Sequence, residues 1–290
     1  MRRLTLLASG QGWHVRDLQR AAALLGWEVV WEDFRRLNAG VFGSRERLPQ
    51  TDLVLVRTMP PGSLEQVVFR MDVLHRWVRN GVAVFNSPRA LEISIDKYHT
   101  TARLVAAGLT VPDTWVGQDA ESALAAFEQL GGDVVVKPIF GSEGRGIFRL
   151  TERELAWRVL VTLERLGAVL YLQKYVAHEG YDVRAFVLGD EVLAGMRRYV
   201  RDGLRSNVAQ GGEAEAVVLG AEEVAAALRA ARAVEAEIAG VDLLPGRDGR
   251  LYVLEVNAVP GWRALTRVTG CDVAWHVLRY LDRRARKETE

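Results

Sequence analysis

Cysteine is nearly missing. Cys271 is the only one in 290 residues, so no disulfide can form within the chain. That fits a reducing, cytoplasmic setting, where thiols stay free. An excess of charge is missing as well. Lys plus Arg number 38 and Asp plus Glu 37, a net charge of +1. Nothing in that balance pulls the chain toward nucleic acid or an acidic membrane surface, and neither is expected as a partner. No apolar run approaches the roughly 20 residues that cross a bilayer. The start "MRRLTLLASG" is basic and then apolar, but polar "GQGWHVRD" follows too soon for a signal peptide. It reads as a first strand. Signatures of a protein nucleophile are also lacking. There is no Gly-x-Ser-x-Gly elbow, and a lone cysteine at a helix start is weak evidence for one. The five histidines, His14, His75, His99, His178 and His276, have no metal-ligand spacing. Internal repeats are absent.

What remains is an ordinary globular composition, 49% hydrophobic and 26% charged, long enough for two or three packed subdomains. The opening alternates apolar runs with helical patterns. "LTLLAS", "WEVVWED", "DLVLVRTM" and "VAVFNS" read as strands; "HVRDLQRAAALLG" and "SLEQVVFRMDVLHRWVRNG" read as helices. That alternation predicts a parallel sheet with helices on its faces, an α/β domain over residues 1–92. "GQG", Gly10–Gly12, follows the first strand but lacks the full Gly-x-Gly-x-x-Gly pattern, so a plain turn is the preferred reading. After the turn at Asn86-Ser87-Pro88 one helical segment runs to Gly108. A central α+β unit is expected over residues 93–170 and a C-terminal one over 171–290. In the latter, "YDVRAFVLGDEVLAGMRRYV" is a hairpin turning at Gly189-Asp190. "AEEVAAALRAARAVEAEIAG" is a helix with Val224, Leu228, Ala231, Val234 and Ile238 on one face. "VDLLPGRDGRLYVLEVN" is a second hairpin, at Asp248-Gly249. The tail "RRARKETE" reads as a frayed, solvated helix end.

Two stretches carry chemistry. In "VVVKPIFGSEGRGI", Lys137 ends an apolar strand, and Gly141, Gly144 and Gly146 follow it. Glycines allow positive φ and close approach of backbone to a ligand, and successive N–H groups form an anion-binding concavity. A strand-end lysine beside such a loop suits a phosphate oxygen; the bland alternative is a flexible connector. The spacing is not that of a P-loop, because no Gly-Lys-Ser/Thr follows. The second stretch is "LYVLEVNAVPGW". Glu255 and Asn257 lie two residues apart on an otherwise apolar strand, so they project to one face. The preceding hairpin strand can add Asp242. Two carboxylates and an amide oxygen make a hard, incomplete oxygen site of the kind Mg²⁺ prefers. The alternative for Glu255 is an ion pair with an arginine. Arg184, Arg197, Arg198, Arg205 and Asn207 supply cations and polar donors nearby, arginine being suited to forked contacts with carboxylate or phosphate. For Arg197 and Arg198 a solvated strand edge is the competing reading.

The order "IDK", "VVVKPIFGSEGRGI", "LQKYV", "GYDVRAFVLGDEVLAGMRR", "LRSNVAQGGEA", "VDLL", "LEVNAVPGW", "TGCDVA" resembles the ATP-grasp carboxylate–amine ligases, in particular the RimK-like α-L-glutamate ligases, over residues 85–280. The resemblance implies an ATP-grasp fold: an N-terminal parallel-sheet pre-grasp domain and two α+β subdomains enclosing ATP. It implies that Lys97 and Lys137 hold the nucleotide, with Gly141, Ser142, Gly144 and Gly146 over the phosphates. Gln173, Lys174, Tyr175 and Val176 would form the adenine hinge, and Asp182 a ribose or nucleotide contact. Lys174 stands where the family has glutamate, which puts side-chain contacts to the base in doubt but not backbone ones. The implied metal ligands are Asp242, Glu255 and Asn257, for Mg²⁺ or Mn²⁺, two ions. Arg184 and Arg205 would act in catalysis, and Arg205 and Asn207 on the substrate. The implied reaction is phosphorylation of an acceptor carboxylate followed by attack of an amine, L-glutamate, with ADP and phosphate released. Acceptors in the family are a protein tail or a pterin- or deazaflavin-type coenzyme. "VLEVNAVPGWRALTRVTG" is most similar to the branch linked to tetrahydromethanopterin biosynthesis. A ligase using another amino acid, or a nucleotide-binding module without turnover, are the rival readings. Homo-oligomers are common in the resembled family.

Overall fold

A computed structural model describes residues 2–42, 45–46, 48–141, 145–199 and 213–287. The chain opens with β1 (Arg3–Ala8), α1 (Trp13–Leu24) and β2 (Glu28–Asp33), followed by a 3-10 turn. A short hairpin, β3 (Val41–Phe42) and β4 (Arg45–Glu46), precedes β5 (Leu53–Val56), α2 (Leu64–Arg79) and β6 (Ala83–Phe85). The main strands form a parallel sheet in the order β2-β1-β5-β6. β5 is apolar at every position and buried throughout, as a strand covered on both faces must be. α2 starts where Ser63 and Gln66 form a reciprocal capping box. The β3–β4 hairpin was not anticipated; two-residue strands carry no periodicity to read.

The single helical segment expected after Pro88 is two helices, α3 (Pro88–Ile95) and α4 (Lys97–Ala106). Asp96 breaks them. Its backbone is extended, and its carboxylate accepts from His99 N, capping α4.

The second sheet is antiparallel. It comprises β7 (Thr114–Gly117), β8 (Val134–Lys137), β9 (Phe148–Leu150) and β10 (Leu170–Lys174), in the order β7-β10-β8-β9. α5 (Ala120–Gln129) and α6 (Arg153–Arg165) cover it. Phe127, Val136, Leu160 and Leu172 belong to a core of its own.

The third sheet is also antiparallel, in the order β13-β12-β11-β14-β15. Its strands are β11 (Tyr181–Leu188), β12 (Glu191–Tyr199), β13 (Ala214–Val217), β14 (Ile238–Pro245) and β15 (Leu251–Asn257). α7 (Ala221–Ala233) crosses between β13 and β14, and α8 (Arg263–Thr269) and α9 (Val273–Lys287) close the chain. The expected helix through Ile238 is therefore too long. Glu235 takes φ 61°, Ala236 N donates to Ala231 O, and Glu235 N donates to Arg232 O, so the helix ends in a Schellman-type turn. Ile238 opens a buried strand instead. The tail is also less free than expected: Arg284 on α9 pairs with Glu237 at 2.7 Å.

The N-terminal and third sheets share their cores. One apolar cluster joins Leu7, Val54 and Leu74 to Val183, Val241 and Val253. Another joins Leu4, Leu6 and Leu55 to Phe186, Ile238 and Val277. Asn86, 1% exposed, fastens the two sheets with four hydrogen bonds. Its amide nitrogen donates to Ile238 O and Ala258 O, and its oxygen accepts from Glu237 N and Ile238 N. A buried amide so fully paired leaves no desolvation penalty. Among the described residues no helix is long and apolar enough to cross a membrane.

Candidate active site

The second and third sheets face each other across a cleft, and the chemistry-bearing residues line it. From the second sheet comes Lys137, the last residue of β8. Its Nζ donates to Gln173 Oε1 at 2.6 Å. Gln173, 3% exposed, is itself held: Nε2 donates to Thr114 Oγ1 at 3.0 Å and to Tyr171 OH at 3.3 Å. Tyr171 OH in turn meets Thr101 Oγ1 at 2.9 Å. Burial pulls the Lys137 ammonium down to about 8; Lys97 pushes the same way, while Glu255 and Asp242 oppose it. Those two carboxylates lie on the third sheet, so the lysine feels both walls of the cleft.

Lys97, at the start of α4, donates from Nζ to Gly141 O at 2.8 Å, and its backbone N–H meets Ile139 O. It tethers the near end of the glycine loop. Gly141 and Gly146 have φ of 134° and 72°, and a Cβ at Gly146 would sit 3.4 Å from the Pro138 ring. A side chain there would be strained by the positive φ. Ser142 and Gly144 lie outside the described residues.

The expected hinge leaves β10. Lys174 N donates to Asp113 O and Tyr175 N to Asp133 O. The Tyr175 ring lies under Arg149, 3.5 Å from the guanidinium carbon, and Arg149 is forked onto Asp133. The Val176 N–H makes no hydrogen bond among the described residues, which leaves it for a ligand. Lys174 is exposed, its Nζ 3.8 Å from an Asp113 carboxylate oxygen.

On the third sheet, Asp242 of β14 is in register with Glu255 of β15, and Asn257 is opposite Gly240. Asp242 is 7% exposed and engaged by two arginines. Arg184 forks onto it through Nε and Nη2, and Arg198 Nη2 reaches it at 2.9 Å. Burial raises the Asp242 carboxyl, but the two guanidiniums outweigh it and hold the group below the usual carboxylate range. Arg198 also takes both oxygens of Asp182, at 2.7 and 2.8 Å. Asp182 therefore lies in a buried ion network under the cleft. Asn257 Oδ1 accepts from Val259 N at 2.8 Å, forming the turn that leaves β15.

Two carboxylates and an amide oxygen suit a divalent cation in chemistry, and strand register sets Asp242 beside Glu255. Facing carboxylates repel, and a shared cation relieves that repulsion. No group of three acidic, histidine or cysteine ligands exists among the described residues, and Asp242 is turned into its arginines. Metal binding would therefore draw Asp242 at least partly away from Arg184 or Arg198.

Arg198 is what the sequence reading undervalued. It is 5% exposed, whereas Arg197, its neighbour on the opposite face, is half-buried over the Tyr181 ring with Glu215 at 3.6 Å. The usable signal was strand alternation, which places neighbours on opposite faces. Arg205 and Asn207 lie outside the described residues.

A family profile for the RimK-like ATP-grasp domain matches residues 94–281. The tetrahydromethanopterin:alpha-L-glutamate ligase of Methanosarcina acetivorans is 32% identical over 262 residues, covering 81% of each chain. A probable alpha-L-glutamate ligase of Shewanella amazonensis is 32% identical over 297 residues, covering 99% of this chain and 97% of that protein. The solved structure of the ATP-grasp ligase PsnB complexed with minimal precursor, Mg and ADP superposes with a TM-score of 0.74 at 24% identity, covering 98% of each chain. The cleft, the profile and the full-length likeness together make this chain a member of the RimK-like ATP-grasp family of ligases.

Proposed function

We propose that the protein uses ATP to join L-glutamate, through its amine, to the carboxylate of a small pterin-type coenzyme. The observation that carries this reading is the meeting of unlike groups across one cleft. Lys137 ends a strand of the second sheet, and Asp242 and Glu255, whose charge it feels, lie on the third sheet with Asn257. Lys97, Lys137 and Gly141–Gly146 suit the phosphates, and the free Val176 N–H suits an adenine edge. Asp242, Glu255 and Asn257 would hold Mg²⁺, which when bound neutralises charge on phosphate oxygens. Transfer of the γ-phosphoryl group to the acceptor carboxylate gives an acyl phosphate and ADP. Attack by the glutamate amine then forms the amide and expels phosphate. Lys137 and Arg184 are cations placed to stabilise the negative charge that builds in both steps. Arg205 and Asn207 are assigned to the amino acid. The acceptor class rests on likeness to the Methanosarcina relative, whose name specifies tetrahydromethanopterin.

Mass spectrometry of reactions containing ATP, Mg²⁺, each amino acid in turn and a panel of acceptors tests the reading. A product heavier than a pterin-type acceptor by one or more glutamyl residues is expected, with ADP formed in step. Turnover only with another amino acid, or only with a peptide acceptor, would replace it.

A further inference from the structure

At the carboxyl ends of β1 and β5 the parallel sheet has its switch point. The chain leaves β1 toward β2 on one side and β5 toward β6 on the other. Open α/β sheets bind ligands in the crevice this creates. Here Ser9 and Thr58, the residues just past the two strand ends, join hydroxyls at 2.8 Å and form the floor. Gly10 and Gly12 rise beside them, and a Cβ at either would meet open space. Gly12 caps the twelve-residue helix α1 without any side-chain hydrogen bond, so the first-turn N–H groups are unclaimed by a capping side chain.

The second observation is Arg57. It follows β5, is 6% exposed, and has no carboxylate partner among the described residues. Its Nη2 donates to Pro260 O at 2.8 Å, its face lies 4.2 Å from the Trp262 ring centroid, and its Nε is buried with no partner. Burial alone pulls it down to about 9. A buried guanidinium without a counter-anion is costly unless an anion arrives. His14, in the first turn of α1, feels both Arg57 and Arg263. After burial, these two cations hold its imidazole down to about 3. His14 Nε2 accepts from Trp262 N, so the neutral ring carries its proton on the other nitrogen. Two arginines, one of them buried, thus lie beside the first turn of α1, close enough to act on His14.

We propose that Arg57, Arg263 and the first turn of α1 form a carboxylate-binding site for a non-reacting carboxylate of one of the ligase's two organic substrates, the amino acid or the acceptor. The inference rests on the ligase reading. Pro260, whose carbonyl holds Arg57, lies three residues beyond Asn257, so its Cα is at most about 11 Å from that of the proposed metal ligand Asn257. That is a reach suited to the far end of a glutamyl group whose near end reacts. The nucleotide phosphates are served by a different sheet.

The test is calorimetric titration of the protein saturated with ADP and Mg²⁺, using L-glutamate and N-acetyl-L-glutamyl-L-glutamate as separate probes. Arg57→Met is expected to weaken one probe at least tenfold and leave the ADP Kd within twofold. Arg263→Gln, at an exposed position, is expected to weaken the same probe by a smaller factor. The probe that responds identifies the source of the carboxylate. Equal binding of both probes to wild type and Arg57→Met, a parallel loss of ADP, or no binding of either probe to wild type overturns the inference. Should Arg57→Met not fold, an unchanged probe Kd in Arg263→Gln overturns it alone. Failure of the ligase reading looks different: the wild-type protein would release no ADP with any amino acid and acceptor.

Discussion

Asp242 lies directly across from Glu255 on the neighbouring strand, yet only Asp242 is neutralised by arginine. Glu255 has no ion-pair partner among the described residues, which leaves its charge for a cation. Glu255→Gln keeps the shape and removes that charge. Mg²⁺-dependent ADP release is expected to fall more than a hundredfold, roughly 3 kcal/mol of transition-state stabilisation, with thermal stability unchanged or slightly higher. Near-normal rates at limiting Mg²⁺ would remove Glu255 from the metal site.

Arg198 bridges Asp182 and Asp242, and all three are nearly inaccessible. Arg198→Met removes the fork on Asp182 and leaves Asp242 to Arg184 alone. The expected loss is about 3 kcal/mol, read as a lower urea midpoint at unchanged slope. A midpoint equal to wild type would mean that the network is solvated in solution.

Lys137 gives the site a pH response. Its folded value of about 8 lies below its ordinary 10.5. Between those values the folded chain holds fewer protons than the unfolded one, so this group's contribution to stability rises with pH there. Nucleotide binding runs the other way, because phosphate favours the ammonium. With about a tenth of Lys137 charged at pH 9, ADP is expected to bind roughly tenfold more weakly than at pH 7. Lys137→Arg should flatten that profile. A wild-type ADP Kd independent of pH from 7 to 9.5 would exclude contact between Lys137 and phosphate.

Arg205→Lys retains charge but loses the planar fork. Its expected signature is a raised KM for glutamate at a nearly constant ADP Kd, with direct glutamate titration alongside to separate affinity from rate. Loss of ADP binding with an unaltered glutamate dependence would assign Arg205 to the nucleotide.

Much of this was legible because the informative residues break a local pattern. Glu255 and Asn257 interrupt an apolar strand, and period-two geometry puts them on one face. Lys137 and its glycines stand out for the same reason. What the sequence withheld depends on contacts between distant segments. Arg198 could not be told from Arg197 until Asp182 and Asp242 were placed around it, 16 and 44 positions away. Arg57 is not singled out by any pattern in the sequence, and its lack of a counter-ion among the described residues emerges only from the packing of Trp262 and Pro260. The helix that should have run through Ile238 failed because Glu235 adopts a left-handed backbone that propensity does not announce.

The Asn86 clamp has a mechanical consequence. With its four hydrogen bonds and two shared cores, the parallel sheet and the five-stranded sheet form a frame. The β7–β10 sheet, packed on its own core, is the jaw. The frame grips both stems of the jaw: Val253 N donates to Thr110 O, and Arg247 N donates to Ala177 O. α4, packed on the frame's core, ties the jaw as well, through Lys97 to Gly141 and Thr101 to Tyr171, so an opening that admits a nucleotide has to break or carry these contacts. Lys137 and the hinge would travel with the jaw while the carboxylates stay still.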